Sequence, residues 1–384
     1  MRIAIVGAVL TAPGLVAVAS GVLPLDAVAA LAERSAPILG FVVAMTVVAE
    51  LAAEAGVFRA LAERLARMAG GRAILLWLLV VVLATASTVF LSLDTTAVLL
   101  TPVVVSLAAH VRLPPIPFAL TTVWLANTAS LLLPVSNLTN LLAAERLALH
   151  PLEFAALMAA PALVAVVVPA VIVLLVRRRE LAARFVPDEP AAISDRPLFW
   201  TAVGVLVALV PLLVSGLPVW LPASGAALVL VVAFAVRRRG VLRPGLVPWS
   251  LLVFVCGLFL AMQAAHELGA TAVLGALAGT GEGPLELLRL AGASALSANA
   301  IDNLPAFLAL EPFAASPLRT AALLIGVNAG AIVTPWASLA TLLWHQRLVA
   351  MGVEISWWRY VALGLLVAPL TVAGATLALA LAAG

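Results

Sequence analysis

Between residues 73 and 111 the sequence is almost wholly apolar, yet a carboxyl group, Asp94, stands at its middle, inside Ser87-Thr-Val-Phe-Leu-Ser-Leu-Asp94-Thr95-Thr96-Ala-Val-Leu-Leu-Thr-Pro102. An acid at membrane depth costs roughly 2.5–3.5 kcal/mol on insertion scales, so it faces a cavity or a partner and marks a functional site by default. The pattern recurs in Ser294-Ala-Leu-Ser297-Ala-Asn299-Ala-Ile-Asp302-Asn303-Leu-Pro305. The rest of the chain reads as a frame that brings these two stretches together.

The 384 residues are 65% hydrophobic and 10% charged, where a soluble domain carries about a quarter charged residues. The apolar runs reach the roughly 20 residues that cross a bilayer as a helix, and they lack the alternation of barrel strands. The fold class is an all-α polytopic membrane protein. All 21 basic residues are Arg, spread as topology requires rather than as a patch, so nucleic acid is not an expected partner and the lipid bilayer is. The single Cys256 excludes an intrachain disulfide and a thiolate metal cluster, and reads as a small buried apolar residue. No nucleophile–base pair or metal-ligand cluster points to an enzyme, and no cofactor is implied.

Helices are expected at about 3–23, 36–57, 154–176, 198–216, 221–236, 248–266 and 357–382. Hairpins are expected at 73–111 and 268–312, and interrupted helices at 116–148 and 320–345. The run at 3–23 is long for a signal peptide and is read as the first helix. This layout gives a first transmembrane repeat, 1–176, a cytoplasmic linker, 177–197, and a second repeat, 198–384. With a cytoplasmic N-terminus and both hairpins re-entrant, only Arg34, Arg146, Arg289 and Arg319 fall outside, and every other Arg is cytoplasmic, as the positive-inside rule asks. The C-terminus is then external. Full crossing by each hairpin arm keeps the same ends and stays open. The nine Trp lie mostly near predicted ends, as interfacial anchors. His110, His150, His266 and His345 fall near span ends, and Glu50 and Glu54, one turn apart, read as interfacial or bundle-facing.

Setting Asn127 to Leu142 above Asn328 to Leu343 without gaps superposes Asn on Asn, Pro134 on Pro335, and several Leu. The Asp94 and Asp302 stretches recur in the same order, with the two acids aligned. In the layout above the halves are inverted, the plan of secondary transporters whose midplane site is built from broken helices. Backbone groups freed at such breaks line a cavity or are buried in protein, and proline at 134, 305 and 335 suits them because it donates no amide hydrogen bond.

At these residues the chain resembles the arsenite/antimonite efflux permease family of the ion transporter superfamily, which also holds sodium–dicarboxylate symporters. The resemblance rests on Asp94 to Pro102, Asn127 to Leu142 with its Ser136-Asn137-Leu-Thr-Asn140 core, Asp302-Asn303-Leu-Pro305, and Thr334 to Trp344. It implies an inverted-repeat ion-transporter fold with two re-entrant hairpins and two interrupted helices, in the cell inner membrane. It also implies export of arsenite or antimonite by proton antiport, with a cytoplasmic arsenical ATPase as an optional partner. The family often has Asn-Asp at the first tip and Asn-Asn at the second, where this chain has Leu93-Asp94 and Asp302-Asn303.

Arsenous acid is uncharged at neutral pH and presents hydroxyls, so a site for it needs oxygen and amide partners. Thr95, Thr96, Asn127, Ser136, Asn137, Asn140, Asn303, Asn328, Thr334, Ser338 and Thr341 are the candidates. Asp94 and Asp302 are candidates for substrate or ion binding and for proton coupling, since burial and a second acid nearby both favour a carboxyl's protonated form. The alternative is a sodium site, because carboxylate, hydroxyl and carbonyl oxygens suit a hard cation. That would make the chain a sodium–proton antiporter or a sodium-coupled anion transporter. An uncoupled channel-like permease is a further reading, and a purely structural pairing of either acid is the bland one. Dicarboxylates are disfavoured by two acids with no Arg beside them.

Overall fold

A computed structural model describes residues 2–21, 23–186, 193–269, 275 and 277–383, with backbone only for 2–10. Part of the expected linker (187–192) and of the first arm of the second hairpin (270–274 and 276) lies outside the described residues. Regular structure among the described residues is helical, apart from one isolated antiparallel bridge between Arg72 and Arg184.

The first half runs α1 (Arg2–Ala19), α2 (Leu25–Glu54), the amphipathic α3 (Val57–Met68), then a hairpin of α4 (Ala73–Leu91) and α5 (Leu93–His110). An interrupted helix follows, α6 (Ile116–Thr128) and α7 (Leu138–Arg146), and then α8 (Pro151–Leu181). A helix α9 (Arg196–Leu213) leads to the second half: α10 (Trp220–Arg237) and α11 (Trp249–Glu267). A second hairpin joins α12 (Pro284–Ile301) to α13 (Asn303–Leu310). The second interrupted helix is α14 (Pro317–Leu324, widened into a π turn over Ile325–Ala329) and α15 (Leu339–Ala350), and α16 (Trp357–Ala383) ends the chain. Among the described residues, eight helices are long and apolar enough to cross a membrane.

Packing follows the repeat. α1 lies along α11 and α10 lies along α2, so exchanging the halves maps one contact onto the other, while α8 packs on its own counterpart α16. α9 leans on α10, α2 and α3. Both ends of the first hairpin sit at one face. Ala73 N donates to Ala183 O (3.1 Å) and Phe185 N to Gly71 O (2.9 Å), while α3 packs against the far end of α5. The hairpin therefore enters and returns. Close approach needs glycine where α16 meets the second break, because a Cβ on Gly364 would stand 2.5 Å from Ile332 O.

Three sequence expectations change. α2 starts at Leu25, not near 36, because Arg34 is neutralised inside the helix by acids remote in sequence, Glu311 (3.1 Å) and Glu145 (3.7 Å). Trp77, Trp124 and Trp344 are core residues rather than interfacial anchors. The indoles of Trp77 and Trp344 donate to Thr121 Oγ1 (2.8 Å) and Ala119 O (3.0 Å), which lets a ring with a polar edge sit inside. Cys256 is exposed on α11, not buried.

Candidate functional site

Both hairpins turn at a single residue held in backbone space that is almost reserved for glycine. Ser92 has φ 118°, ψ 161°, and Asp302 has φ 89°, ψ 155°. Such a conformation costs of order 1–3 kcal/mol and persists only where surroundings over-determine it. Serine and aspartate occupy these positions because each side chain caps the helix that follows. Ser92 Oγ accepts from Thr95 N (3.4 Å), and Asp302 Oδ1 accepts from Leu304 N (3.1 Å). The tips thus correspond at Ser92 and Asp302, and Asp94 sits two residues into its returning helix. The two acids are not equivalents in the repeat, contrary to the sequence alignment.

The interrupted helices restart in the same region. Asn137 caps α7, its Oδ1 accepting from Thr139 N (3.3 Å), and Ser338 stands at the start of α15. The first residues of α5, α7, α13 and α15 all line one chamber of about 80 Å³, together with Asp94, Asn137, Asp302, Asn303 and Ser338. Four helix N-termini, each a positive dipole end, border it and favour oxygen-rich groups. Asp94 and Asp302 are close enough to interact electrostatically. Asp94 has no hydrogen-bond partner among the described residues, and the buried Ser338 hydroxyl has none either. Among the described residues, no Arg and no Cys lines the chamber.

The other candidates hold the breaks in place instead of facing the chamber. Asn328, on the π turn of α14, is the knot between halves: its Oδ1 accepts from Asn137 Nδ2 and Thr139 Oγ1, and its Nδ2 donates to Asn140 Oδ1, each at 2.9 Å. Asn140 Nδ2 in turn donates to Ser130 O (2.6 Å) and Leu133 O (3.0 Å), backbone groups freed at the first break. Ser136 Oγ donates to Val89 O (2.9 Å) of the first hairpin. Thr96 is buried between Thr88 Oγ1 and Ser87 Oγ, both 2.9 Å away. Thr95 donates to Leu91 O (3.2 Å) and lines a neighbouring cavity. Asn127 donates to Val123 O (2.9 Å) and reaches Thr341 Oγ1 only at 3.5 Å.

One residue outside the candidate set does comparable work. Asn299 accepts at Oδ1 from Val333 N (3.1 Å) and Thr334 N (2.9 Å), donates to Gly330 O (2.8 Å), and receives the Thr334 hydroxyl on its own carbonyl (2.8 Å). It stitches the second hairpin to the second break. Its signal in the sequence was an amide one turn before the tip acid, in the same polar stretch. Among the described residues no three His, Cys, Asp or Glu converge as metal ligands.

Residues 2–343 match the citrate transporter family, CitMHS. The arsenical pump membrane protein of Yersinia enterocolitica is 30% identical over 354 residues, covering 84% of this chain and 81% of that protein, and its counterpart in Escherichia coli K12 is 29% identical over the same shares. The silicon efflux transporter LSI3 of Oryza sativa subsp. japonica is 42% identical over 116 residues, 30% of this chain and 24% of that one. Among solved structures, the YdaH transporter of Alcanivorax borkumensis superposes with TM-score 0.54 at 17% identity, covering 94% of this chain and 89% of that chain, and so shares the fold. The chain is a polytopic membrane transporter that belongs to the citrate transporter family and is a relative of the arsenical pump membrane proteins.

Proposed function

We propose that this chain exports arsenite and antimonite from the cytoplasm across the cell inner membrane by proton antiport, with access alternating about the chamber between the two tips. The N-terminus is cytoplasmic and the C-terminus external in this reading, since it puts most Arg inside. The observation that carries it is the chamber itself: two carboxyls, amides and an unpartnered hydroxyl around about 80 Å³, without a cation or thiol in the wall. At about 10–15 Å³ per water, that space takes a solute equivalent to a handful of waters. Arsenous acid fits by size and by its hydroxyls. Citrate, for which the family is named, would meet two acids and no Arg. The relatives named for arsenic and silicon support the same chemistry, because both elements occur at neutral pH as uncharged hydroxylated species.

Release requires ligands weaker than thiolates, and oxygen and amide groups supply that. Asp94, with no bond to give up, is the group best placed to take and lose a proton, and Asp302 adds a second charge at the other tip. An efflux-deficient host carrying this gene should gain resistance to arsenite and antimonite, and Asp94→Asn and Asp302→Asn should each lose it while still inserting. Full resistance in both variants refutes the proton role. Sodium-dependent transport in vesicles would replace this reading with the sodium-coupled one, and transport indifferent to an imposed pH gradient would replace it with a channel.

A further inference from the structure

Asp94 faces two spaces. Besides the chamber, it lines a second cavity of about 390 Å³ that extends toward the Arg-rich end and is bounded by Thr46, Glu50, Thr95, Trp249 and Leu343. Ser92, Thr46, Leu251 and Leu339 border both spaces. Thr46 and Glu50 are one turn apart on α2, so they share a face. Glu50 and Asp94 are the acids of that cavity.

Glu50 is not held as its neighbour is. Glu54, the next turn on, pairs with Arg238 at the end of α10 (3.9 Å). Glu50 makes no ion pair among the described residues, although Arg347 of α15, Arg243 in the link before α11, and Glu54 all act on it electrostatically. An unpaired carboxyl in the last turns of a span, opening on the same 390 Å³ cavity as the chamber acid, is poorly explained as an anchor.

We propose that Glu50 is a second proton-carrying acid, the relay through which Asp94 exchanges its proton with the aqueous phase at the Arg-rich end. This rests on the reading that Asp94 carries the coupling proton. In the release step the Asp94 O–H bond breaks, its proton goes to a water in the 390 Å³ cavity, and that water passes one of its protons to a Glu50 carboxylate oxygen. Asp94 is left as carboxylate. Glu50 then loses the proton to bulk water and returns to its starting state. One proton moves, and the solute need not share its path.

Everted vesicles holding wild type, Glu50→Gln, Glu50→Asp and Asp94→Asn test this, with arsenite as the probe. Glu50→Gln should slow uptake driven by a pH gradient at least tenfold and flatten its dependence on the pH outside the vesicle. Arsenite-for-arsenite exchange at equal pH should stay within about twofold of wild type, and Glu50→Asp should restore driven uptake. Driven uptake with a wild-type pH profile in Glu50→Gln overturns the relay. So does an equal loss of exchange and driven uptake in both Glu50 variants, which marks a solute-binding or structural role. If Asp94→Asn loses driven uptake while Glu50→Gln keeps it, the relay alone fails; if Asp94→Asn keeps it, the Asp94 reading fails as well.

Discussion

Asn127 and Asn328 occupy the same place in the two repeats, yet the structure gives them unequal work, and truncating each to alanine tests that inequality. Asn328→Ala removes three bonds of 2.9 Å, to Asn137, Thr139 and Asn140. Interhelical hydrogen bonds inside membrane proteins average about 0.6 kcal/mol in double-mutant cycles, which sets a floor near 2 kcal/mol for three. A buried polar group left without a partner costs about 1–3 kcal/mol. Asn137 opens on the chamber and can be rehydrated, whereas Thr139 and Asn140 are fully buried; the expected loss is therefore about 2–6 kcal/mol. Asn127→Ala removes one bond within its own helix, one at the distance limit, and an acceptor that already lacks a partner. Its cost should be below about 1 kcal/mol beyond the cavity that both truncations leave. Reversible unfolding in mixed dodecyl maltoside and SDS micelles measures both. Equal losses, or a loss under about 1 kcal/mol for Asn328→Ala, would refute the claim that this amide knot holds the breaks in register.

Other perturbations are expected to behave as follows. Gly364→Val should cost about 1–3 kcal/mol by overpacking, because even a Cβ there meets Ile332 O at 2.5 Å and Val333 Cα at 2.8 Å; an unchanged unfolding midpoint contradicts that contact. Cys256→Ala should export arsenite at a rate within about twofold of wild type, since the thiol is exposed on α11 and away from the chamber, and a loss of export without a loss of folding argues against oxygen and amide ligation. Asp195 caps α9 through Leu198 N and pairs with Arg237, and these contacts, the backbone bond first, hold its carboxyl below the ordinary value of 3.8. Its contribution is therefore present above that value and lost as pH falls through the lower folded one, so wild type and Asp195→Ala should differ in stability at neutral pH and converge in strong acid. Arg34→Ala should loosen the end of the molecule opposite the Arg clusters by about 1 kcal/mol; on the proposed alternating access with that end external, this is roughly a fivefold shift between access states, read as faster labelling from outside of a Ser338→Cys thiol by a membrane-impermeant maleimide in a Cys256→Ala background.

The hairpins and breaks were legible because a carboxyl, an amide or a proline inside an apolar run has few structural uses. Ser92 as the turning residue was not, because nothing local separates it from Asp94; only the capping geometry does. The candidate amides could not be sorted either. In sequence, Asn137 and Asn140 look alike, while in space one opens on the chamber and the other spends both ends on Asn328 and freed carbonyls. The start of α2 was hidden for a related reason. Arg34 reads as the edge of a span until Glu311, far along the chain, is seen beside it. Trp77 and Trp344 misled because interfacial and buried indoles differ only in whether a partner for the N–H waits inside, and Thr121 and Ala119 are such partners.

The two halves share a frame and differ where chemistry is needed. Each tip bends at a residue in glycine-like backbone space, and each helix beyond it is capped by the bending residue. In the second half that capping residue is the acid itself, so Asp302 is tied to the backbone of α13. In the first half a serine takes the capping role, and the acid moves two residues on, without a hydrogen-bond partner among the described residues and open to both the chamber and the cavity leading to the Arg-rich end. At the opposite end Arg34, Glu145, Arg146 and Glu311 close over α7 and the second hairpin. Asp94 lines both the chamber and the cavity, whereas Asp302 lines the chamber alone, so the two acids differ in access in this conformation. On the proposed proton antiport with alternating access, that difference would have to reverse or vanish when the charged cluster opens, and the coupling of proton to solute would then depend on departures from the repeat more than on the repeat itself.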